Sequence, residues 1–230
     1  MPVESPVSER LTVVSLLLLT FSTGIVDAIS VLVLGHVFVA NMTGNVIFLG
    51  FWFAPRTVVD ITAALLAFVS FVTGAILGGR LSRHLDDDVR RWLTVALGIE
   101  VVMLVALAIL CGTGVLDYHD NSKLILIAGL ALTFGGQAAT ARQFGIQELS
   151  TTVLTTTIVG IGFDSRPAGG SGRREKLRYS VVLTMCAGAL AGATLTRWAV
   201  APVIALAAGV VAVAAGIFRF GPPRGQGTAG

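Results

Sequence analysis

The sequence predicts an all-α integral membrane protein of about six transmembrane helices, and its composition and apolar runs carry that prediction. Hydrophobic residues make up 54% of the 230 residues and charged residues only 13%, against roughly a quarter charged in soluble domains. Apolar runs long enough to cross a hydrocarbon core of about 30 Å recur from Leu11 to Phe218. Little chain remains for a soluble domain, so we expect residues 1–230 to form a single membrane domain.

Six apolar stretches are expected to cross the membrane. They are Leu11–Leu34, Thr57–Gly79, Trp92–Val115, Leu124–Ala141, Tyr179–Trp198 and Ala201–Phe218. The first has Arg10 as the one cation before it and no small-residue cleavage site after it, so we expect a span rather than a removed signal peptide. Between the fourth and fifth stretches, residues 164–178 combine basic residues with Pro and Gly, which predicts a flexible basic loop.

Two further apolar segments are too polar to be ordinary spans. Val37–Phe53 contains Asn41-Met42-Thr43-Gly44-Asn45, and Ile146–Phe163 contains five threonines. The arms of the first reach about half of a bilayer at 1.5 Å per helical residue. We expect each segment to be broken or re-entrant.

The Lys and Arg residues favour this topology. If both polar segments re-enter, every Lys and Arg except Arg56, Lys123 and Arg197 faces the cytoplasm. If both cross, the split becomes more even, and basic loops tend to stay inside. We therefore expect a multi-pass membrane protein with both termini in the cytoplasm.

The two halves of the chain, residues 11–115 and 123–218, resemble each other. Thr20-Phe21 recurs as Thr133-Phe134, and the pair Gly74 and Gly78 recurs as Gly188 and Gly192 at nearly the same offset. With three spans in each half, an odd number, the second copy must be inverted relative to the first. The two polar segments are then expected to meet near the midplane.

These segments supply a candidate solute site. Its predicted members are Asn41, Thr43, Gly44 and Asn45 from the first half and Thr151, Thr152, Thr155 and Thr156 from the second. Irregular backbone at membrane depth is tolerated where protein buries it or a wet cavity reaches it. The alternative is a packing knot in which these polar groups satisfy one another. The sequence leaves both interpretations open.

Two carboxylates lie within predicted spans. A charge at the centre of a membrane helix costs about 2.5–3.5 kcal/mol on insertion scales, and intramembrane ionisable residues are functional by default. Asp27 is therefore a candidate proton or cation site, or a buried carboxyl that caps a broken helix. Glu100, eight residues past Trp92, is a second ionisable candidate that we expect nearer the interface.

Other function classes find no support in the motifs. The sequence has no Gly-rich phosphate loop, no H-E-x-x-H, no G-x-S-x-G and no Cys/His metal cluster, so we predict neither an enzyme nor a metal or cofactor site. The basic residues lie in short loops, where they orient a membrane protein and do not indicate nucleic acid. The expected partners are the lipid bilayer and a small solute, and self-association into a homo-oligomer stays open.

The motif Gly24-Ile25-Val26-Asp27-Ala28-Ile29-Ser30, followed by the run 35–45, resembles the YoaK family of bacterial transmembrane proteins, a domain of unknown function. The resemblance covers essentially the whole chain. It extends to Gly135, Gln137 and Ala139 and to Thr151, Thr152 and Thr155, and so adds Gln137 to the candidate site. Two positions depart from the family pattern: Ala138 stands where the family usually has Asn, and Thr156 stands where it usually has Gly. The resemblance implies a multi-span inner-membrane protein and no substrate.

The function predicted from these observations is a transporter or channel-like protein for an unidentified small solute. The alternative is a non-transporting membrane scaffold, or a partner of another complex, whose polar segments are structural.

Overall fold

Six long helices and two short ones follow one another in the computed structural model, which describes residues 4–53, 59–85, 87–144, 154–172 and 174–223. The long helices are α1 (Glu9–Leu32), α3 (Ile61–His84), α4 (Val89–Gly112), α5 (Lys123–Gln143), α7 (Glu175–Leu195) and α8 (Ala201–Phe220). The short ones are α2 (Met42–Leu49) and α6 (Leu154–Phe163). All six long helices are long and apolar enough to span a membrane, so the predicted all-α membrane fold is confirmed.

Polar residues fix where several helices begin. The Asp60 carboxylate accepts a hydrogen bond from the Ala63 N–H at 3.0 Å and starts α3, and Asp88 does the same for the Arg91 N–H at 2.9 Å at the start of α4. Each satisfies a backbone donor that the first helical turn leaves without a partner. The apolar runs therefore become helices with defined ends.

The helix ends gather at two opposite faces, here called the Arg90 end and the Lys123 end. At the Arg90 end, the Arg90 guanidinium at the start of α4 donates to the carbonyl oxygens of Pro6, Arg219 and Gly221 at 2.7–3.2 Å, which joins the N-terminal segment to the end of α8. At the Lys123 end, the ammonium of Lys123 lies 3.1 Å from Asp60, which joins the starts of α5 and α3.

Two parallel helix pairs make close contacts through glycine. α3 packs along α5, and α1 packs along α7. A Cβ atom added to Gly74 of α3 would overlap the Leu132 carbonyl of α5, and one added to Gly188 of α7 would overlap the Phe21 carbonyl of α1. Small residues at these positions let the backbones approach, which is how membrane helices commonly associate. α4 packs on α8, and α1 is the most buried span.

Neither short helix crosses the bundle. The Asp60 N–H donates to the Gly35 carbonyl at 3.2 Å, so the chain that leaves α1 and the start of α3 lie together at the Lys123 end. At the other end, Phe144 after α5 stacks on Phe218 of α8 with ring centroids 5.7 Å apart, and α7 starts on that side. The described residues on either side of each short helix therefore lie at the same end of the bundle, so α2 and α6 add no crossing to the six long helices. Whether the two polar segments re-enter the membrane stays a prediction.

The two short helices do not meet near the midplane, contrary to the sequence-based expectation. α2 packs on α3 at the Lys123 end, and α6 packs on α7 at the Arg90 end. Among the described residues, α2 and α6 make no substantial contact with each other. Each short helix instead finds its nearest partner in the long helix that follows it in sequence.

The predicted basic loop 164–178 is shorter in the structure, because Glu175–Arg178 belong to the first turn of α7. Arg178 pairs with Asp164 at 2.6 Å and donates to the Gly160 carbonyl at 2.6 Å, which ties the loop to the end of α6. Whether the rest of the loop is flexible stays a prediction.

Exposed aromatic side chains mark both ends of the bundle. Trp52 and Trp198 lie at the Lys123 end, and Phe220 lies at the Arg90 end; all three are largely exposed. Aromatic residues are enriched at the two interfaces of a bilayer, where an apolar ring and a wet surface coincide. Their placement fits a bundle that spans the membrane between these two ends.

Candidate functional site

The first buried polar cluster, the Asp27 clamp, consists of Asp27, Asn41 and the backbone N–H groups of Val39 and Ala40. One carboxylate oxygen of Asp27 accepts from the N–H groups of Val39 and Ala40, both at 2.9 Å. The other accepts a short hydrogen bond from the side-chain amide of Asn41. Asp27 is only 5% exposed. Because Val39, Ala40 and Asn41 bind a residue within α1, the chain after α1 turns back along this helix.

Asn45 completes the turn that leads into α2. Its side-chain oxygen accepts from the Phe38 N–H at 2.9 Å, and its side-chain nitrogen donates to the Phe38 carbonyl at 2.6 Å. The Phe38 ring lies against Gly44, where an added Cβ would come within 2.5 Å of ring carbons. Asp27, Asn41 and Asn45 thus supply the hydrogen bonds that this irregular backbone would otherwise lack.

The remaining predicted site residues do not join this cluster. Thr43 of α2 is exposed, and so are Thr155 and Thr156 of α6. Thr151 and Thr152 lie outside the described residues. The structure therefore brings Asp27, Asn41 and Asn45 together and leaves Thr43, Thr155 and Thr156 apart from them.

The second buried polar cluster, the Glu100 cluster, joins Glu100 of α4, Gln137 of α5, and Ser22 and Thr23 of α1. The amide nitrogen of Gln137 donates to a Glu100 carboxyl oxygen at 2.5 Å and to the Ser22 hydroxyl at 3.2 Å. The amide oxygen of Gln137 accepts from the Thr23 hydroxyl at 3.2 Å. Glu100 and Gln137 are 4% and 2% exposed.

Both the amide nitrogen and the amide oxygen of Gln137 are hydrogen-bonded within this cluster, but only one of the two carboxyl oxygens of Glu100 is. Only Oε1 of Glu100 is hydrogen-bonded; Oε2 makes no hydrogen bond with the described residues. A carboxylate has room for about four hydrogen bonds. Because Glu100 lies at the middle of α4, this spare capacity falls at the depth where a charge is most costly.

Glu100 and Gln137 line a cavity of about 310 Å³ between α3, α4 and α5. The lining is mostly apolar, and its other polar side chains are Thr133 and Thr140 of α5. The rim residues Leu77 and Ile99 are about half exposed, at 50% and 53%, so the cavity opens on the outer surface of the bundle. A pocket of this kind, apolar with few polar groups, is typical of small-molecule sites.

Sequence reasoning did not select Ser22, Thr23, Thr133 or Thr140. A signal for the α1 residues was present, because Thr23 precedes Asp27 by four positions and therefore shares its helix face. The sequence marks Thr133 only through the repeat of Thr20-Phe21, and it does not mark Thr140; both matter because of the cavity between three helices. Among the described residues, no three His, Cys, Asp or Glu side chains come together as a metal site.

Comparisons with known proteins agree with the membrane architecture. Residues 15–217 match the family described as protein of unknown function (DUF1275). The chain is similar to the UPF0700 transmembrane protein YoaK of Bacillus subtilis (strain 168), with 32% identity over 192 residues that cover 79% of this chain and 81% of that protein. No solved structure matches the chain.

Proposed function

We propose that this chain, which belongs to the DUF1275 family of proteins of unknown function, carries a small solute across the membrane. The solute binds beside Glu100. One observation carries the proposal: a buried carboxyl group, with one oxygen lacking a described partner, lines a cavity of about 310 Å³. A polar group placed so deep in a membrane protein is costly unless a partner or a proton compensates it. A bound solute is such a partner.

The helix packing supports two inverted halves. α1 packs along α7 as α3 packs along α5, α2 lies on α3 as α6 lies on α7, and α4 meets α8. Exchanging α1–α4 with α5–α8 in order maps this set of contacts onto itself. In transporters with inverted repeats, the two halves move against each other around a central site. A relative movement at the α4–α8 contact would change access to the cavity, because α4 forms one of its walls.

The family resemblance implies the inner membrane, and the charges favour an orientation with both termini in the cytoplasm. The Arg90 end gathers most of the basic residues, and the Lys123 end carries Lys123 and Arg197 among the described residues. Basic residues are retained on the cytoplasmic side. Single cysteines at Asp87 and Gly169, in a background without Cys111 and Cys186, should therefore resist an impermeant thiol reagent added to intact cells. Labelling of either position would contradict this orientation.

A second candidate function is a non-transporting membrane scaffold or partner protein. The Asp27 clamp favours it, because both carboxylate oxygens of Asp27 and the Asn41 amide serve the backbone and each other. A polar segment satisfied in this way needs no solute. On this view the Glu100 cluster would have the same purpose, joining α1, α4 and α5.

Uptake by reconstituted vesicles separates the two functions. Vesicles with the wild-type protein are screened with labelled amines, amino acids, sugars and organic anions, in parallel with Glu100→Gln. The matched control is Glu9→Gln, the same change at an exposed position in the first turn of α1. We expect that vesicles with wild type or Glu9→Gln accumulate at least one of these solutes. Vesicles with Glu100→Gln should take up no more of it than empty vesicles do.

Two results would count against transport at Glu100. If folded wild-type protein takes up none of the solutes above empty vesicles, the scaffold is favoured. If Glu100→Gln takes up a solute as fast as wild type, the site lies elsewhere in the bundle. Melting temperatures in detergent show that each variant is folded before its uptake is compared.

A further inference from the structure

The chemistry of the cavity selects a class of ligand. We infer, on the basis of the proposed function, that the cavity beside Glu100 takes a small organic monocation with an apolar body, and that this cation replaces a proton on Glu100. The inference rests on the shape, the charge and the opening of the cavity. Protonated and quaternary amines of one ring have the required size and charge.

Charge is the first argument. Among the described residues, Glu100 is the one charged side chain that lines the cavity. The lining from α3 and α5 consists of Gly, Leu and Thr apart from Gln137. The buried face of α8 is apolar. The carboxyl group of Asp27 on α1 does not line the cavity, and its two oxygens are already occupied. No described cation compensates Glu100, so a cationic ligand would meet an uncontested carboxyl group.

Size and apolarity are the second argument. A cavity of about 310 Å³ is roughly twice the cavity of about 150 Å³ that binds benzene in an engineered protein. Leu77, Leu81, Ile99, Met103 and Leu132 supply apolar contacts around the carboxyl group. A fully hydrated inorganic cation would leave these surfaces unused, whereas an amine with one ring would cover them.

The opening is the third argument. The rim residues Leu77 and Ile99 lie on the outer surface of α3 and α4, where the bundle of a membrane protein meets lipid. An amphiphilic cation dissolved in the bilayer can enter from that surface, with its ammonium group toward Glu100 and its apolar part against the rim. The ammonium group then lies near the depth of Glu100, at the middle of α4.

A proton must leave when the cation binds. An unpaired carboxylate at this depth is expensive, so the empty site holds Glu100 as the neutral acid. Binding then converts the acid and the free cation into a carboxylate–cation pair, and the released proton goes to water. Because one proton is exchanged for one cation, the affinity should rise about tenfold for each pH unit while the empty site is protonated.

Binding of benzyltrimethylammonium to the purified full-length protein tests this inference. Its charge is permanent, so any proton released comes from the protein. Calorimetry in two buffers of different ionisation enthalpy gives the number of protons released, and benzenesulfonate is the anionic control of similar size. We expect saturable binding of the cation, release of about one proton per cation bound, and no binding of the anion.

Variants locate the exchange at Glu100. Glu100→Gln should lose both cation binding and proton release, while Glu100→Asp should keep proton release with weaker affinity, because it retains the carboxyl group on a shorter side chain. Glu9→Gln should match wild type. Should Glu100→Gln fail to fold, the folded Glu100→Asp protein and the wild-type pH dependence still decide, since binding without proton release would overturn the inference.

Failure of the ligand class and failure of transport give different results. Transport of a neutral or anionic solute that depends on Glu100, together with no saturable binding of benzyltrimethylammonium at millimolar concentration, would overturn the cation and leave the transporter. Cation binding with proton release, but no uptake of any solute by vesicles, would keep the cation site and overturn transport.

Discussion

Replacing Asp27 separates a structural carboxylate from a transporting one. In Asp27→Ala, the buried N–H groups of Val39 and Ala40 lose their acceptor, and so does the Asn41 amide. A buried N–H without a partner costs about 1–3 kcal/mol. The two backbone N–H groups together predict that Asp27→Ala lowers the free energy of unfolding by about 2–6 kcal/mol.

Asp27→Asn should be much milder. Its side-chain oxygen can accept from both backbone N–H groups, and its nitrogen can donate to Asn41 once the Asn41 amide has turned to present its oxygen. What is lost is the extra strength of bonds to an ionised acceptor, so we expect a cost of about 1 kcal/mol or less. Solute uptake should persist, because Asp27 lies outside the cavity lining.

The assay pairs unfolding in detergent with hydrogen exchange. Denaturant titration gives the free energy of unfolding, and exchange of the peptide that carries Val39 and Ala40 reports whether their amides stay protected. Asp87→Ala, at an exposed carboxylate, is the matched control. Equal destabilisation by Asn and Ala at position 27 would refute the hydrogen-bond explanation. Normal stability with lost uptake in Asp27→Asn would place Asp27 in the transport mechanism.

Three further predictions concern the framework of the bundle. Gly74→Ala should lower the free energy of unfolding by about 1–3 kcal/mol through overpacking, because the added Cβ would overlap the Leu132 carbonyl. The control Gly98→Ala should not, because the space around Gly98 is open. Equal thermal denaturation of the two variants would refute the close contact. Arg90→Met should loosen the Arg90 end and lower the melting temperature more than Arg91→Met does, because Arg90 alone of the two donates to Pro6, Arg219 and Gly221; equal losses would contradict the role given to Arg90. Partial burial raises the pKa of Asp60, but the Ala63 N–H and the Lys123 ammonium outweigh it and hold that pKa below its usual range. The stability from Asp60 is therefore complete above about pH 4 and is lost as the pH falls through the lowered pKa. Asp60→Asn should remove this part of the acid sensitivity in melting curves, and an unchanged pH profile would refute the prediction.

The spans could be predicted because their signal is local. Each apolar run is long enough to cross a membrane by itself, and Asn41 and Asn45 interrupt a run visibly in the sequence. Both Asp27 and Glu100 also stood out, since a carboxylate in an apolar helix is rare. These features depend on neighbours within one or two helical turns.

The roles of the two carboxylates could not be predicted, because their partners come from distant or featureless positions. Asp27 binds backbone N–H groups of Val39 and Ala40, and backbone donors leave no mark in a sequence. Glu100 meets Gln137 of another helix, 37 positions away. The cavity exists only because α3, α4 and α5 come together, so no single segment of the sequence predicts it.

Labelling by dicyclohexylcarbodiimide tests the central claim. Of the two carboxyl groups that are buried among the described residues, Glu100 opens on a ligand cavity and Asp27 does not. This apolar reagent adds to a protonated carboxyl group and leaves a stable acylurea whose mass identifies the modified peptide. We predict that Glu100 is labelled, that benzyltrimethylammonium protects it, and that Asp27, whose oxygens are both hydrogen-bonded, stays unmodified. Labelling of Asp27 with Glu100 unmodified in the folded protein would contradict the account.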